Sequence, residues 1–244
     1  MLWSLLPLAF VAELVDSSLG MGYGTSLAPI LLLLGYSPAQ VVPAVLISEL
    51  LTGFWAAFWH ERTRNIEWRG ASLRVALLLG GLSIIGAIAA VFVASHVSQH
   101  TVRLYMAILV VVMGGLILLR RQRVRFSWGA LSTLGVVAAF NKAISGGGYG
   151  PLVTSGQIHC GIGPKRAVAI TSLAEGFTCL AGFVIYAIMG PVDLTLLGPL
   201  AVGAACSVPF AAGVVHRLPE RRFTRLVGVA VLLLGVFSLW KVLC

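Results

Sequence analysis

Four stretches of the chain, 75–95, 104–119, 126–141 and 194–215, contain no Asp, Glu, Lys or Arg. Each matches or approaches the ~20 apolar residues that cross a bilayer as a helix. Lipid offers no hydrogen-bond partner to an open backbone, so such stretches are driven into helices. The charged fraction agrees. Only 10% of the 244 residues are charged, against about 25% in a soluble domain. That leaves too little polar surface to cover a core in water. The expected fold class is all-α, a polytopic transmembrane bundle, with the lipid bilayer as its first partner.

A net charge of +9 would suit nucleic acid in a soluble protein. Here the arginines group in short loops between apolar runs: Arg62, Arg64, Arg69 and Arg74; Arg120, Arg121, Arg123 and Arg125; Arg217, Arg221, Arg222 and Arg225. That is the positive-inside pattern, and no basic soluble domain exists to bind nucleic acid. The first apolar run has no basic residue before it. Glu13 interrupts it, and no small-x-small site follows, so it reads as a helix and not as a signal peptide. The cysteines form neither a CxxC pair nor a disulfide framework. The histidines form no HExxH or other metal set. No metal, cofactor or catalytic residue is expected, and the chain does not read as an enzyme.

Inside this apolar chain lies Ser145-Gly146-Gly147-Gly148-Tyr149-Gly150, with no charged residue between Lys142 and Lys165. Three consecutive glycines let a backbone bend, or approach another backbone or a ligand. The stretch has a twin 126 residues earlier, Gly20-Met21-Gly22-Tyr23-Gly24-Thr25. At that offset, without gaps, Gly20/Gly146, Gly22/Gly148, Tyr23/Tyr149, Gly24/Gly150, Gly35/Gly161, Pro38/Pro164, Val42/Val168, Glu49/Glu175 and Thr52/Thr178 are identical. These matches fall on unusual residues, which marks an internal duplication. The halves are 1–122 and 123–244, within one membrane domain.

Each half reads as a glycine-broken pair and three further helices. The first has an apolar run at 3–19, a short piece from Thr25 to Leu34, then helices near 39–59, 71–94 and 101–119, with His96 and His100 in a polar loop. The second has a helix near 127–142, a short piece from Leu152 to Cys160, then helices near 165–188, 194–216 and 222–242. Pro38 and Pro164 are placed to open helices. Placing the basic loops in the cytoplasm makes 39–59 run inward. Its twin, starting beside Lys165-Arg166, runs outward. The repeats are then inverted, as in many secondary transporters, and both chain ends are periplasmic.

If the short pieces are half-helices, their N-terminal N–H groups end inside the membrane, where they favour an anion. Gly20, Gly22, Gly24, Gly146, Gly147, Gly148 and Gly150 would let it reach the backbone. Tyr23, Thr25, Ser26, Ser145 and Tyr149 would add hydroxyls. The alternative is that the glycines only permit close helix packing. Glu49 and Glu175 are carboxylates within the bilayer, placed equivalently. They serve either proton coupling or as acceptors for the broken-helix ends. Asp16 and Lys142 share a duplicated position with opposite charges. They form a buried pair, or Lys142 contacts the anion. His159-Cys160 has no third partner and reads as packing.

Asp16-Ser17-Ser18-Leu19-Gly20-Met21-Gly22-Tyr23-Gly24 with Pro29 and Gly35, the run 145–150, and Arg166-Ala167-Val168-Ala169-Ile170-Thr171-Ser172 together resemble the sulfite exporter TauE/SafE family over essentially the whole chain. The resemblance implies a transporter of small, often sulfur-containing anions, such as sulfite, sulfoacetate or thiosulfate, in a bacterial inner membrane. Met21 and Tyr23 interrupt the family's glycine run, and Tyr149 replaces a glycine in the second. The expected function is a secondary transporter working by alternating access, with protons as a candidate coupling ion. The alternative is an anion channel using the same half-helix ends.

Overall fold

The computed structural model describes residues 2–20, 22–119, 127–214 and 220–243. Met21, Arg120, Arg121, Arg123, Arg125 and Arg217 lie outside them, as do the side chains of His159, Arg221 and Arg222. A 3-10 turn, Leu2–Leu5, leads into α1 (Leu6–Leu19), α2 (Tyr23–Leu33), α3 (Pro38–Arg62), α4 (Ala71–His96) and α5 (Gln99–Leu118). The second half gives α6 (Trp128–Ser145), α7 (Tyr149–His159), α8 (Pro164–Met189), α9 (Leu197–Val214) and α10 (Glu220–Leu243). The described residues contain no strand. Four helical spans are long and apolar enough to cross a membrane: Leu2–Leu19, Pro38–Arg62, Ala71–Ala94 and Lys165–Met189.

The breaks arise from backbone geometry. Gly20 at φ 68 closes α1, and Gly146 at φ 74 closes α6. Their N–H groups bond back to the carbonyls of Asp16 and Lys142, at 2.5 and 2.8 Å. This is the left-handed helix stop that glycine takes without strain. The half-helices start earlier than the sequence suggests: Tyr23 and Tyr149 are their first residues, not part of the bend. The first helix of the second half likewise runs on to Ser145 instead of stopping near Lys142. His96 and His100 belong to α4 and α5, not to a loop.

Pro38 and Pro164 open α3 and α8 as expected. Ser37 N–H donates to Gln40 Oε1 at 3.1 Å, which seats the first turn of α3. Gln40 also donates to Asp193 at 2.9 Å. The Thr195 N–H and hydroxyl, with Gln40, hold the Asp193 carboxyl below the usual carboxylate range. Asp193 and Thr195 therefore form a turn, and α9 begins at Leu197, three residues later than expected.

Shifted by 126, α2 falls on α7 residue for residue, and α3 and α8 both begin at the shifted proline. The main helix pairs are also exchanged by swapping halves. Helix α1 packs on α9 as α6 packs on α4, and α3 packs on α9 as α8 packs on α4. The halves therefore interlock. The twins α3 and α8 cross antiparallel, with Gly53 beside Ser172 and Gly176, and Leu46 beside Gly182. The twins α5 and α10 also run antiparallel, since Gly114 meets Leu232 and Gly235 meets Val111. Small residues at such crossings bring backbones close, as membrane helices require.

The outside is apolar. Ile84, Ile85, Ile88 and Phe92 on α4 and Leu233, Phe237 and Trp240 on α10 are exposed, a surface suited to lipid and not to water. Trp55, Phe58 and Trp59 cluster at the Arg62 end of α3, with the Arg62 guanidinium 6.0 Å from the Trp59 ring centroid, as at a membrane interface.

A Cβ on Gly53 would lie 2.7 Å from the Ser172 carbonyl oxygen, whereas one on Gly81 would meet nothing within 4 Å. Gly53→Val is expected to destabilise the detergent-solubilised protein by about 1–3 kcal/mol, read as a lower thermal midpoint. Gly81→Ala is expected to leave the midpoint unchanged.

Candidate functional site

The two glycine bends meet backbone to backbone. A Cβ on Gly24 would overlap the Gly146 carbonyl oxygen, and one on Gly147 would lie 2.7 Å from the Gly24 carbonyl and 2.8 Å from Thr25 N. Only glycine fits at these two positions. Across the contact, Gly148 N–H donates to Thr25 Oγ1 at 3.1 Å. Ser145 braces its own bend, donating to Asn141 O at 2.6 Å and accepting from Gly147 N–H at 3.1 Å. The Ser26 hydroxyl bonds back to Gly22 O. Thr154 donates to Gly20 O at 2.7 Å. Gly150 is the second residue of α7.

The two tyrosines are fully buried. The Tyr23 hydroxyl shares a 2.7 Å hydrogen bond with Ser48. The Tyr149 hydroxyl has no hydrogen-bond partner.

The positive end of α2 is matched by the protein's own carboxylates. Asp16 Oδ1 accepts the Tyr23 N–H at 3.3 Å, and Glu49 Oε1 accepts the Gly24 N–H at 3.2 Å. Both groups lie in the first turn, where a negative charge is favoured. Glu49 thus accepts from a broken-helix end in this conformation. The buried pair expected between Asp16 and Lys142 is replaced by another. The Lys142 ammonium, 1% exposed, bonds Glu175 at 2.8 Å and also Glu49. Lys142, on α6, is taken by two carboxylates from the crossing twins α3 and α8 in place of Asp16.

Carboxylate oxygens of Asp16, Glu49 and Glu175 lie within 4.8 Å of one another. Such a set could hold a cation, and the Lys142 ammonium already fills that role between Glu49 and Glu175.

Glu13 extends the acidic group. It accepts from Ser17 Oγ at 2.6 Å and Thr52 Oγ1 at 3.3 Å. Glu13, Asp16, Glu49, Thr52, Ser172 and Glu175 line a cavity of about 10 Å³ toward the Arg62 end of α3. On the opposite side of the bends, Gly24, Thr25, Met106, Ser145, Gly147 and Gly148 line a second cavity of about 10 Å³. Each holds about one water. In this conformation the bends are closed on each other.

Glu13 was legible as a charge inside the first apolar run, and Thr52 as one of the repeated identities, yet neither stands out as a site residue by sequence. Cys179 Sγ, 4.0 Å from Glu49, carries no sequence signal. Cys160 is half-buried against the apolar cluster around Leu131 and Val153, as packing requires.

The family model described as sulfite exporter TauE/SafE matches residues 5–238. A protein of Bacillus subtilis (strain 168) named probable membrane transporter protein YtnM is 26% identical over 249 residues, covering 95% of this chain and 80% of that protein. No solved structure matches the chain.

Removing one partner of a buried ion pair leaves the other charge uncompensated. Lys142→Met is expected to destabilise the protein by about 3–5 kcal/mol. Combining it with Glu49→Gln and Glu175→Gln should recover much of that loss. Chemical denaturation in mixed micelles measures both.

Proposed function

The chain belongs to the sulfite exporter TauE/SafE family, and from that premise we propose that it is a secondary transporter moving a small sulfur-containing anion by alternating access. It is an integral membrane protein of a membrane-transporter family, which points away from an enzyme. The substrate class is sulfite, sulfoacetate, thiosulfate or a related organosulfonate, and the membrane is the bacterial inner membrane. The halves are inverted repeats, a reading supported by the antiparallel crossings of α3 with α8 and α5 with α10. The described arginines Arg62, Arg64, Arg69 and Arg74 support a cytoplasmic α3–α4 loop, with both chain ends periplasmic.

The observation that carries the proposal is the contact of two glycine bends at which half-helices begin, beside a buried lysine. Parting the bends frees the Gly147 and Gly148 amides and the Thr25 hydroxyl to face an anion. Closing them excludes it. Gly20, Gly22, Gly24, Gly146 and Gly150 let the backbones part and re-form without side chains between them. Tyr23, Ser26, Ser145 and Tyr149 wall the site. The closed packing of the bends favours alternating access over an open channel.

Proton coupling follows from the carboxylates. Glu13, Asp16, Glu49 and Glu175 line one cavity, and the one ammonium there, that of Lys142, is held by Glu49 and Glu175. Three negative charges are left for protons or another cation to balance, because unpaired charge in a low-dielectric interior is costly. Glu49 holds both the Gly24 N–H and Lys142. Its protonation weakens both bonds and releases the Gly24 N–H to an incoming anion. Anion binding and proton uptake are then favourable together, with Asp16 and Glu175 sharing the gating.

The test is uptake of labelled sulfite and sulfoacetate into proteoliposomes, after a thermal-shift screen against sulfite, sulfate, thiosulfate, sulfoacetate and simple carboxylates. Uptake should saturate and accelerate when the donor side is acidified. Glu49→Gln should remove the acceleration, and Gly147→Ala should abolish uptake. Current that rises with voltage and never saturates would establish a channel instead.

A further inference from the structure

A larger cavity lies beyond the small one beside Gly147 and Gly148. About 160 Å³ in volume, it is lined by residues of α2, α5 and α10, among them Pro29, His100, Arg103, Met106, Ser238 and Lys241. It opens at the end of the bundle where α4 turns into α5. By the measure that gives the bend cavities one water each, it has room for a small hydrated oxyanion.

Its fixed charges, those of Arg103 and Lys241, are positive, and among the described residues no carboxylate lines it. Arg103 stands near the N-terminus of α5, whose first turn has no acidic residue. A cation there opposes the helix dipole, and an anion in the cavity would offset it. Two polar groups inside it also lack partners. Ser238 is 6% exposed, and its hydroxyl makes no hydrogen bond. Arg103 Nε is buried and equally unpartnered. Buried donors in native proteins are normally satisfied, so this pair marks a place where a ligand supplies acceptors. Lys241 is held in position by its bond to Leu33 O, at 2.8 Å, at the C-terminal end of the same half-helix whose N-terminus forms the first bend.

The cavity also leads somewhere. Pro29 and Met106 line both it and the small cavity beside Gly147 and Gly148. Met106 is 1% exposed and is the partition between the two. A methionine side chain is unbranched and flexible enough to swing aside. We propose that the α2–α5–α10 cavity is a second anion site, a vestibule in which Arg103, Lys241 and Ser238 hold a small oxyanion before it passes Met106 to the glycine bends. The ligand chemistry is a sulfite-, sulfonate- or phosphate-type group, supplied by the free substrate. The role as a vestibule rests on the transport reading above; the binding itself does not.

The experiment is calorimetric titration of the full chain in phosphatidylcholine nanodiscs with sulfite, sulfate and sulfoacetate, alongside proteoliposome uptake. Arg103→Gln and Lys241→Gln should each weaken binding about tenfold or more, as loss of a charge-assisted hydrogen bond does, and raise the KM for uptake. Arg103→Lys should retain most of the affinity. Thermal midpoints without ligand check folding. If Arg103→Gln does not fold, Ser238→Ala, which keeps every charge, should still weaken binding several-fold.

Unchanged affinity and KM in Arg103→Gln, Lys241→Gln and Ser238→Ala, with uptake intact, would overturn the vestibule and leave the transporter standing. Anion binding that is lost in Arg103→Gln, in a protein that moves no anion, would uphold the site and overturn transport. A cavity that ignores free anions in phosphatidylcholine, but stabilises the wild type and not Arg103→Gln when phosphatidylglycerol is added, belongs to a lipid headgroup, and that also overturns the vestibule.

Discussion

Two glycine backbones touch at the centre of this molecule, where not even a methyl group has room. Gly24 lies against Gly146 and Gly147 with no side chain between them. Two half-helices must therefore begin inside the bundle, with unpaired N–H groups far from water. The buried carboxylates follow from that. Asp16 and Glu49 satisfy the α2 end, and Lys142 pairs with Glu49 and Glu175. A contact between backbones thus dictates the placement of charged side chains around it.

Much of this was legible because it rests on residues with few alternative uses. Glycine triplets in apolar sequence, prolines that open helices, and glutamates inside lipid are conspicuous, and the 126-residue offset located them twice. The two chain breaks, the half-helices and the opposite runs of α3 and α8 could be anticipated on those grounds. What escaped was register and competition. Tyr23 and Tyr149 could be read as bend or helix, and only the left-handed Gly20, Gly146 and Gly148 decide between them. Lys142 could pair with any of several acids. Its choice of Glu49 and Glu175 depends on how two helices cross, which a linear pattern does not encode. Ser238 and Arg103 carried no signal, since an isolated serine or arginine acquires meaning only from the cavity around it.

The halves are alike in outline and unlike in charge. Asp16 and Lys142 occupy the same duplicated position with opposite signs. The first half supplies an anion to its own half-helix end, and the second supplies a cation to both glutamates. An acid at both positions would leave Glu49 and Glu175 without the ammonium that pairs with them. Independently of Lys142, Glu13, Asp16, Glu49 and Glu175 line one chamber, and Arg103 and Lys241 line another.

The interlocking of the halves bears on how the molecule is made. Helices α1 and α3 find their packing partners in α9 and α8, and α4 finds its own in α6 and α8, all synthesised later. While the ribosome is still extending the second half, Asp16 and Glu49 already sit in the insertion machinery or the lipid without Lys142. The nascent first half therefore remains loosely assembled until α6 and α8 arrive. A gene severed at the midpoint would yield two fragments that each lack a finished interior, and their assembly would rest on meeting in the same bilayer.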